Sequence, residues 1–244
     1  MINAYFELGW ETEDWIAVVK PPHLLTHPTR PGPETTLWEL VQERWPDYEL
    51  GLINRIDRDT SGLVLLSKHK EATSQLGIMT MNRAIEKRYL ALVLGEAPEE
   101  QTINAPLGRL CSYADHPIYV EQGVVPQGQK AVTHLCRLEM RFREGQPISL
   151  VEVRLETGRL HQIRAHLRHA GFPVVGDKLY GPDRQFYLDC IEDGWTARME
   201  SELWIRRQAL HATALSFEWS GAEVRLAIPL AADLQEFWMG LDQQ

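Results

Sequence analysis

Residues 53–66 read Ile53-Asn54-Arg55-Ile56-Asp57-Arg58-Asp59-Thr60-Ser61-Gly62-Leu63-Val64-Leu65-Leu66, a polar turn that runs directly into an apolar strand. Charged side chains cluster on turns at strand ends where a protein faces a ligand. Asp57 stands between Arg55 and Arg58, and neighbouring cations favour an ionised carboxylate that is held in place. A carboxylate of this kind can act as a nucleophile. The alternative, equally compatible with these residues alone, is a salt-bridged structural turn.

The composition of this 244-residue chain is that of an ordinary globular protein, with 44% hydrophobic and 24% charged residues. Its length suits one large domain or two small lobes that share a core. No stretch reaches the length of a membrane span, and residues 1–7 do not resemble a signal peptide. We therefore expect a cytoplasmic protein without membrane contact.

The cysteines and histidines do not predict a metal site. The three cysteines are far apart, so neither a disulfide framework nor a thiolate zinc site is indicated. The densest histidine set is His161, His166 and His169, whose spacings of five and three residues do not match a helical ligand pair. We expect no metal and no cofactor.

The net charge of −9, taken alone, argues against a nucleic-acid partner, because such affinity depends on neutralising phosphates. The charge is unevenly distributed, however. Residues 141–169 contain six Arg against three Glu, while acidic residues concentrate at residues 96–100 and 192–202. An acidic protein with such a basic stripe can still bind RNA through that stripe.

The hydrophobic pattern predicts strands and helices in irregular alternation. Strands are expected at residues 15–19, 63–67, 88–95, 131–140, 149–156, 208–219 and 223–228, and helices at residues 36–45, 70–81, 160–170 and 231–241. Residues 28–33 are expected to form a loop, and residues 96–129 an irregular excursion with short hairpins. Because no steady β-α-β alternation occurs, we expect an α+β fold with a mixed, mostly antiparallel sheet.

Residues 157–167, TGRLHQIRAHL, form a second polar segment. They predict a strand, a turn and a helix, and the free backbone N–H groups at a helix start favour an anion such as phosphate. Arg164 falls within the first two turns of this helix, beside the apolar Ile163 and Leu167. The alternative is an amphipathic helix whose arginines are merely solvated, as is usual for a lone Arg.

Both segments together closely resemble the RluA family of RNA pseudouridine synthases. Residues 53–62 are similar to its signature H-R-L-D-x-x-T-S-G, and residues 157–167 and 171–181 to its motifs T-G-R-x-H-Q-I-R-x-H-L and G-x-P-I-x-G-D-x-x-Y-G. Supporting similarities occur at Val19-Lys20-Pro21-Pro22 with His27-Pro28, Lys87-Arg88-Tyr89-Leu90-Ala91, residues 128–133 and Leu210-His211-Ala212. Matches that occur in family order are highly specific, since the alternatives would require that many coincidences.

Two positions depart from the family signature. Ile56 replaces the usual Leu, a volume-conserving exchange that should be tolerated. Asn54 replaces the usual His and so retains a polar side chain while losing a titratable one. Because the family assigns its chemistry to Asp57, we expect Asn54 to affect only how the turn is braced.

The resemblance implies a pseudouridine synthase fold with a catalytic cleft across the sheet. It implies a single catalytic domain over residues 1–244, with a family match at about residues 12–232 and no separate RNA-binding module, similar to the shorter members that lack an S4-type module. It further implies isomerisation of uridine to pseudouridine in tRNA or 23S rRNA, so that RNA is the partner.

The resemblance also implies roles for individual residues. Asp57 is the catalytic aspartate, and Arg164 is the basic residue that pairs with it. Tyr89 stacks on the uracil, and its hydroxyl is a candidate for removing the C5 proton. Arg55 fills the gap that the target base leaves when it flips out of the stack. Further RNA contacts are expected at Arg58, Arg159, His161 and Arg168.

Two other functions stay open at this point. One is a non-catalytic RNA-binding protein on the same fold, against which the presence of Asp57, Tyr89 and Arg164 argues. The other is a nucleoside or glycoside hydrolase that uses Asp57 and Asp59 as paired carboxylates. The choice of RNA target is expected to reside in residues 96–129 and 182–207, since single-stranded RNA is chosen by shape and stacking.

Overall fold

The computed structural model describes residues 6–28 and 34–243, which form twelve strands and six α-helices. The strands are β1 (Glu7–Glu11), β2 (Trp15–Lys20), β3 (Gly51–Leu52), β4 (Ser61–Ser67), β5 (Glu86–Leu94), β6 (Glu100–Asn104), β7 (Leu107–Arg109), β8 (Gln122–Val124), β9 (Val132–Arg143), β10 (Gln146–Leu155), β11 (Leu210–Trp219) and β12 (Ala222–Ala227). The helices are α1 (Leu37–Arg44), α2 (Lys70–Met81), α3 (Gln162–His169), α4 (Gln185–Glu192), α5 (Ala197–Leu203) and α6 (Ala232–Met239).

The chain divides into two compact units. The first comprises Met1–Lys87 and His211–Ala231, and the second comprises Arg88–Leu210 and Ala232–Gln244. No helix in the described ranges is long and apolar enough to cross a membrane. The prediction of a single catalytic domain over the whole chain stays a prediction, and residues 29–33 of the predicted loop lie outside the described residues.

The first unit is built on a mixed sheet around β4, in which every residue is buried. β4 pairs antiparallel with β2 and β3 and parallel with β11, while β1 pairs with β2 and β12 with β11, both antiparallel. Leu63 and Leu65 of β4 meet Trp15, Leu76 and Phe217 in its core. Because burying each such side chain contributes about 1.5–3 kcal/mol, this core anchors the polar segment that precedes β4.

Gly62 permits the close approach of β4 to β11. Its φ is +119°, and a Cβ at this position would lie 2.2 Å from the carbonyl oxygen of Ala212. The neighbouring residues Ser61 and His211 are joined by their side chains. His211 donates from Nε2 to the Pro229 carbonyl at 3.0 Å. Its Nδ1 is therefore unprotonated and accepts from the Ser61 hydroxyl at 2.8 Å. The Ser61-Gly62 end of the signature therefore has a structural role.

The helices of the first unit begin where the sequence predicts. Thr36 caps α1: its hydroxyl accepts the N–H of Glu39 at 3.4 Å, and the Glu39 carboxylate accepts the N–H of Thr36 at 2.8 Å. α1 ends before Trp45, which precedes a proline. The bounds of α2 are those that the sequence predicts, and His69 caps its first turn.

The second unit contains an antiparallel sheet in the order β5-β10-β9-β6 and a separate hairpin of β7 and β8. α3 is buried along most of its length. Its Ala165 joins Leu107, Ala131, Leu179 and Tyr180 in a core cluster. This cluster links the strand-turn-helix segment at residues 155–169 to the hairpin.

The predicted α+β class with a mixed, mostly antiparallel sheet is confirmed, and each predicted strand and helix occurs within a few residues of its expected bounds. The sequence did not predict β1, β3, β6, α4 or α5. β1 is a mostly exposed strand without a buried face, so it lacks an apolar alternation. α4 and α5 have only eight and seven residues, and a small core of Phe186, Met199 and Leu203 stabilises them.

Candidate functional site

Asp57 lies on the turn between β3 and β4, and it is partly exposed. The N–H of Thr60 donates to the Asp57 carbonyl at 3.1 Å and closes the turn. At the start of the turn, the Asn54 amide donates to the Leu63 carbonyl at 3.2 Å and accepts the N–H of Leu65 at 2.8 Å. The buried Asn54 thus fastens the turn to β4 with both its donor and its acceptor, which gives this departure from the family signature a bracing role.

The carbonyl groups of the residues on either side of Asp57 are held by Lys20, the last residue of β2, and by Thr26, in the segment that follows β2. Lys20 is fully buried and donates from Nζ to the Arg58 carbonyl at 2.9 Å and to two further carbonyls at 2.7 and 2.8 Å. The Thr26 hydroxyl donates to the Ile56 carbonyl at 2.7 Å. Because a buried ammonium or hydroxyl that loses its partner is costly, these bonds fix the backbone at Asp57.

The two arginines beside Asp57 do not hold it. Arg58 donates to Glu34 at 2.5 Å in an exposed ion pair. Arg55 is exposed and forms no hydrogen bond or ion pair with another residue in the described ranges. The expectation that these two arginines position Asp57 is therefore wrong, and their exposure leaves both accessible to a ligand.

A chain of buried polar side chains sets the junction between β10 and α3. His166 donates from Nε2 to the Ala105 carbonyl at 2.9 Å, so its Nδ1 accepts from the Thr133 hydroxyl at 2.8 Å. The Gln162 amide donates to the Thr133 oxygen at 3.0 Å and accepts from the Thr157 hydroxyl at 2.8 Å. Every donor in this chain meets an acceptor, which rigidifies the start of α3.

Arg164 is held by a carboxylate that the sequence analysis did not assign. Its Nε and Nη2 donate to the two oxygens of Asp177 at 2.6 and 2.8 Å, and its guanidinium lies 4.9 Å from the ring centroid of Tyr180. Burial alone would raise the pKa of Asp177, but the charge and hydrogen bonds of Arg164 and two backbone N–H donors hold that pKa below its usual value. Burial raises the pKa of Tyr180.

The three predicted RNA contacts around α3 are all engaged with the protein. His161 adopts a left-handed backbone with φ of +52° just before α3, and its Nδ1 lies 3.0 Å from the Tyr180 hydroxyl. Arg168 donates to a backbone carbonyl of the following loop. Arg159 is exposed and donates from Nε to a backbone carbonyl at 3.1 Å. Arg159 therefore presents most of its charge to solvent, whereas His161 and Arg168 also stabilise the local fold.

The basic stripe expected over residues 141–169 is not a continuous surface. Arg141 is buried and pairs with Glu139 at 2.8 Å, and Arg164 is buried with Asp177. The alternating faces of β9 and β10 direct their arginines to different environments. The prediction that these residues form an RNA-binding stripe, which rested on their local net charge, is therefore corrected.

The remaining predicted catalytic residue, Tyr89, is buried on β5 and paired in register with Val153 of β10. Asp57 belongs to the first unit, and Tyr89 and Arg164 belong to the second. The pairing of Arg164 with Asp57 stays a prediction.

Three buried side chains of the quoted motifs received no role from the sequence: Lys20, Asp177 and Tyr180. The sequence offered a signal for these residues, because a polar side chain inside an apolar motif needs a hydrogen-bonding partner. The sequence did not identify those partners, since Arg164 and Asp177 are 13 residues apart, and Lys20 and Arg58 are 38 residues apart.

Comparison with known proteins places this chain among RNA-modifying proteins. The family model described as RNA pseudouridylate synthase matches residues 14–169. An uncharacterized RNA pseudouridine synthase of Chloroflexus aurantiacus is 40% identical over 88% of this chain and 63% of its own length. Ribosomal large subunit pseudouridine synthase D of Xanthomonas campestris is 35% identical over 95% of this chain and 68% of its own length. The chain thus spans about two thirds of the length of these relatives.

A solved structure supports the fold independently. Human RNA pseudouridylate synthase domain containing 4 superimposes with a TM-score of 0.74 at 20% identity, over 97% of this chain and 94% of the human chain.

Proposed function

We propose, because this chain belongs to the RNA pseudouridylate synthase family, that it isomerises uridine to pseudouridine in RNA. In this reaction the N1–C1′ bond breaks, the uracil turns, and a C5–C1′ bond forms. C5 loses a proton and N1 gains one, so the reaction involves no net oxidation or hydrolysis. The protein must bind the nucleotide, stabilise the electron-poor sugar and move these protons.

The observation that carries the proposal is the anchoring of Asp57. Asp57 is partly exposed, while the carbonyl groups of Ile56 and Arg58, on either side of it, accept hydrogen bonds from Thr26 and Lys20. A catalytic group must be held within about 0.5 Å of its productive position. Asp57 then attacks C1′ of the target nucleotide or removes the C2′ proton, and both routes need an ionised carboxylate on the sugar face.

Three further residues complete the proposed chemistry. Tyr89 stacks on the uracil and takes the C5 proton. Arg164 supplies a fixed guanidinium, since Asp177 holds it bidentately. Arg55, exposed at the turn, occupies the space that the flipped base leaves.

The proposed substrate is ribosomal RNA of the large subunit. Several curated relatives carry the name ribosomal large subunit pseudouridine synthase D, including the Xanthomonas protein at 35% identity. Transfer RNA is the second candidate. The relatives are longer than this chain, so substrate choice is tested directly with both RNA pools.

The test uses RNA that carries tritium at C5 of uridine, because this hydrogen is released when C5 joins C1′. The purified protein is incubated separately with large-subunit rRNA and with total tRNA, and released tritium and mapped pseudouridine are measured. Release from rRNA is expected with the wild-type protein and is expected to vanish with Asp57→Asn, while RNA binding persists. Asp59→Asn is the matched control, since Asp59 contacts His23 at 3.0 Å and should not be needed.

Each competing function gives a distinct result. Release of free uracil, lost in both Asp57→Asn and Asp59→Asn, would indicate a hydrolase with paired carboxylates. Binding of both RNA pools without any pseudouridine would indicate a non-catalytic RNA-binding protein. Unchanged tritium release by Asp57→Asn would remove Asp57 from the catalytic role.

A further inference from the structure

The hairpin of β7 and β8 carries an exposed aromatic ring whose orientation is fixed by a cation. Tyr119 is 67% exposed, and the guanidinium of Arg109 lies 4.1 Å from its ring centroid. A guanidinium at this distance covers one face of the ring. Because two thirds of the side chain is nevertheless accessible, the opposite face of the ring is open to solvent.

The backbone beneath this ring is rigid. β7 and β8 pair antiparallel, with Arg109 opposite Gln122, and the N–H of Leu110 donates to the Glu121 carbonyl at 3.0 Å. The Gln122 N–H also donates to the buried Tyr180 hydroxyl at 2.8 Å, which ties the hairpin to the core of its unit. Tyr119 lies in the loop between the two strands, on a turn that the N–H of Glu121 closes by donating to the Ile118 carbonyl at 3.3 Å.

The Tyr119 ring orients Arg109, since the described residues offer this guanidinium no hydrogen-bond or ion-pair partner. Its Nε is buried and has no hydrogen-bond partner among the described residues, and no ion pair of Arg109 occurs among them. The protein encloses this Nε, so a ligand would bind the terminal guanidinium nitrogens, which also have no hydrogen-bond partner among the described residues but are not fully buried. A phosphate oxygen is an acceptor that arginine binds well.

The surrounding charges suit an anionic ligand at this hairpin. Arg184 is half exposed and contacts His116 at 2.8 Å. The carboxylate of Glu121 is buried 4.0 Å from Arg184, so it partly offsets that charge but is not presented to a ligand. Asp115 is the exposed acidic residue of the loop. The exposed groups are therefore mainly aromatic and cationic, in contrast to the chain's net charge of −9.

We infer that Tyr119 and Arg109 form a stacking site for one unpaired nucleotide of the RNA substrate. The base lies on the open face of the Tyr119 ring, and the adjacent phosphate accepts from Arg109. Single-stranded RNA is recognised by this combination of aromatic stacking and guanidinium contacts. This inference rests on the proposed function, and it assigns substrate binding to a surface that takes no part in the chemistry at Asp57.

The test compares four variants by two measurements. The first is the Kd for a fluorescein-labelled oligouridine of about twelve nucleotides, a length within the usual range of single-strand sites. The second is kcat and KM for tritium release from large-subunit rRNA. Tyr119→Ala removes the ring, Tyr119→Phe keeps it, Arg109→Gln removes the charge, and Tyr113→Ala is the control. Tyr113 is also exposed, at 47%, but no guanidinium among the described residues lies on its ring.

Tyr119→Ala is expected to raise Kd and KM about tenfold, the usual effect of losing one stacked base, with kcat unchanged. Tyr119→Phe and Tyr113→Ala should match the wild type. Arg109→Gln should raise Kd and reduce its dependence on salt. Wild-type Kd and KM in Tyr119→Ala would overturn the inference, as would an equal loss in Tyr119→Phe, which would assign the contact to the hydroxyl. Absence of pseudouridine with the wild-type protein would instead overturn the proposed function, and the oligouridine Kd still tests the stacking site in that case.

Discussion

The ammonium group of Lys20 donates a 2.9 Å hydrogen bond to the carbonyl oxygen of Arg58, the residue that follows Asp57. Lys20 is fully buried, and it also donates to the carbonyls of Leu24 and Pro21 at 2.7 and 2.8 Å. A buried charge with these partners resists any movement that would break one bond. The Asp57 turn is therefore positioned by a residue distant in sequence.

Lys20→Met should impair catalysis by more than it impairs RNA binding. Met keeps much of the side-chain volume but removes the donors, which should cost about 1–3 kcal/mol of unfolding free energy for the carbonyl groups left unsatisfied. Because the Asp57 backbone is released, kcat should fall at least tenfold while KM changes little. Urea unfolding and tritium-release kinetics measure the two effects.

Lys68→Met provides the matched control for Lys20. Lys68 is also buried, but it donates to the Glu11 carboxylate at 2.9 Å and the Thr12 carbonyl at 2.7 Å rather than to the Asp57 turn. It should lose stability but retain the wild-type kcat. An equal fall of kcat in both variants would assign the effect of Lys20→Met to general loss of stability.

Asp177→Asn should destabilise the protein more than Asp233→Asn, although each carboxylate binds a buried arginine in the same way. Each binds an arginine bidentately at 2.6 and 2.8 Å, Arg164 for Asp177 and Arg207 for Asp233. The Asp177 side chain is fully buried, whereas that of Asp233 is 55% exposed. Removing the charge of Asp177 leaves Arg164 as a poorly compensated buried cation, which costs about 3–5 kcal/mol.

Arg207 is itself buried, so Asp233→Asn also leaves a buried cation, but solvent at the exposed Asp233 carboxylate replaces part of the lost interaction, and we expect a smaller cost of about 1–3 kcal/mol. Urea unfolding at pH 7 measures both variants. The pKa of Asp177 is held below its usual value, so the stability that it contributes is present above about pH 4 and is lost as the pH falls through the lower pKa of the folded state. Equal destabilisation of the two variants would contradict the assigned cost of the buried Arg164 charge.

His166→Gln should reduce the loss of stability on acidification. Burial lowers the pKa of His166 in the folded protein, and the nearby His169 adds to this, while the bond to the Ala105 carbonyl opposes it. The unfolded chain takes up a proton near pH 6.5 and the folded protein resists it, so stability is lost as the pH falls below about 6.5. Gln lacks a titratable group but can still donate to Ala105.

The measurement is the free energy of unfolding between pH 8 and pH 5 for both proteins. His69 has the opposite sign, since the hydrogen bonds that it donates to the Asp14 and Glu71 carboxylates raise its pKa, so its stabilisation is lost as the pH rises. This contribution is common to both proteins and cancels in their difference. Parallel curves for the wild type and His166→Gln would show that His166 does not titrate differently in the two states.

The class of fold, most element bounds and the identity of the polar segments can be predicted from the amino-acid sequence alone. The capping box at Thr36, the apolar run of β4 and the alternation of β9 and β10 act over a few residues, so local pattern suffices to predict them. The resemblance to a family likewise rests on motifs that are local in the sequence. Which charged side chains pair with each other depends instead on the folded structure.

Sequence neighbours suggested that Arg55 and Arg58 hold Asp57, yet Arg58 pairs with Glu34, and Lys20 binds the turn from 38 residues away. Arg164 likewise takes Asp177 as its partner. The physical reason is that a side-chain ion pair depends on where folding of the apolar core brings distant backbone segments together. Hydrophobic periodicity is fixed by adjacent residues, whereas the partner of a buried charge is fixed by the packed fold.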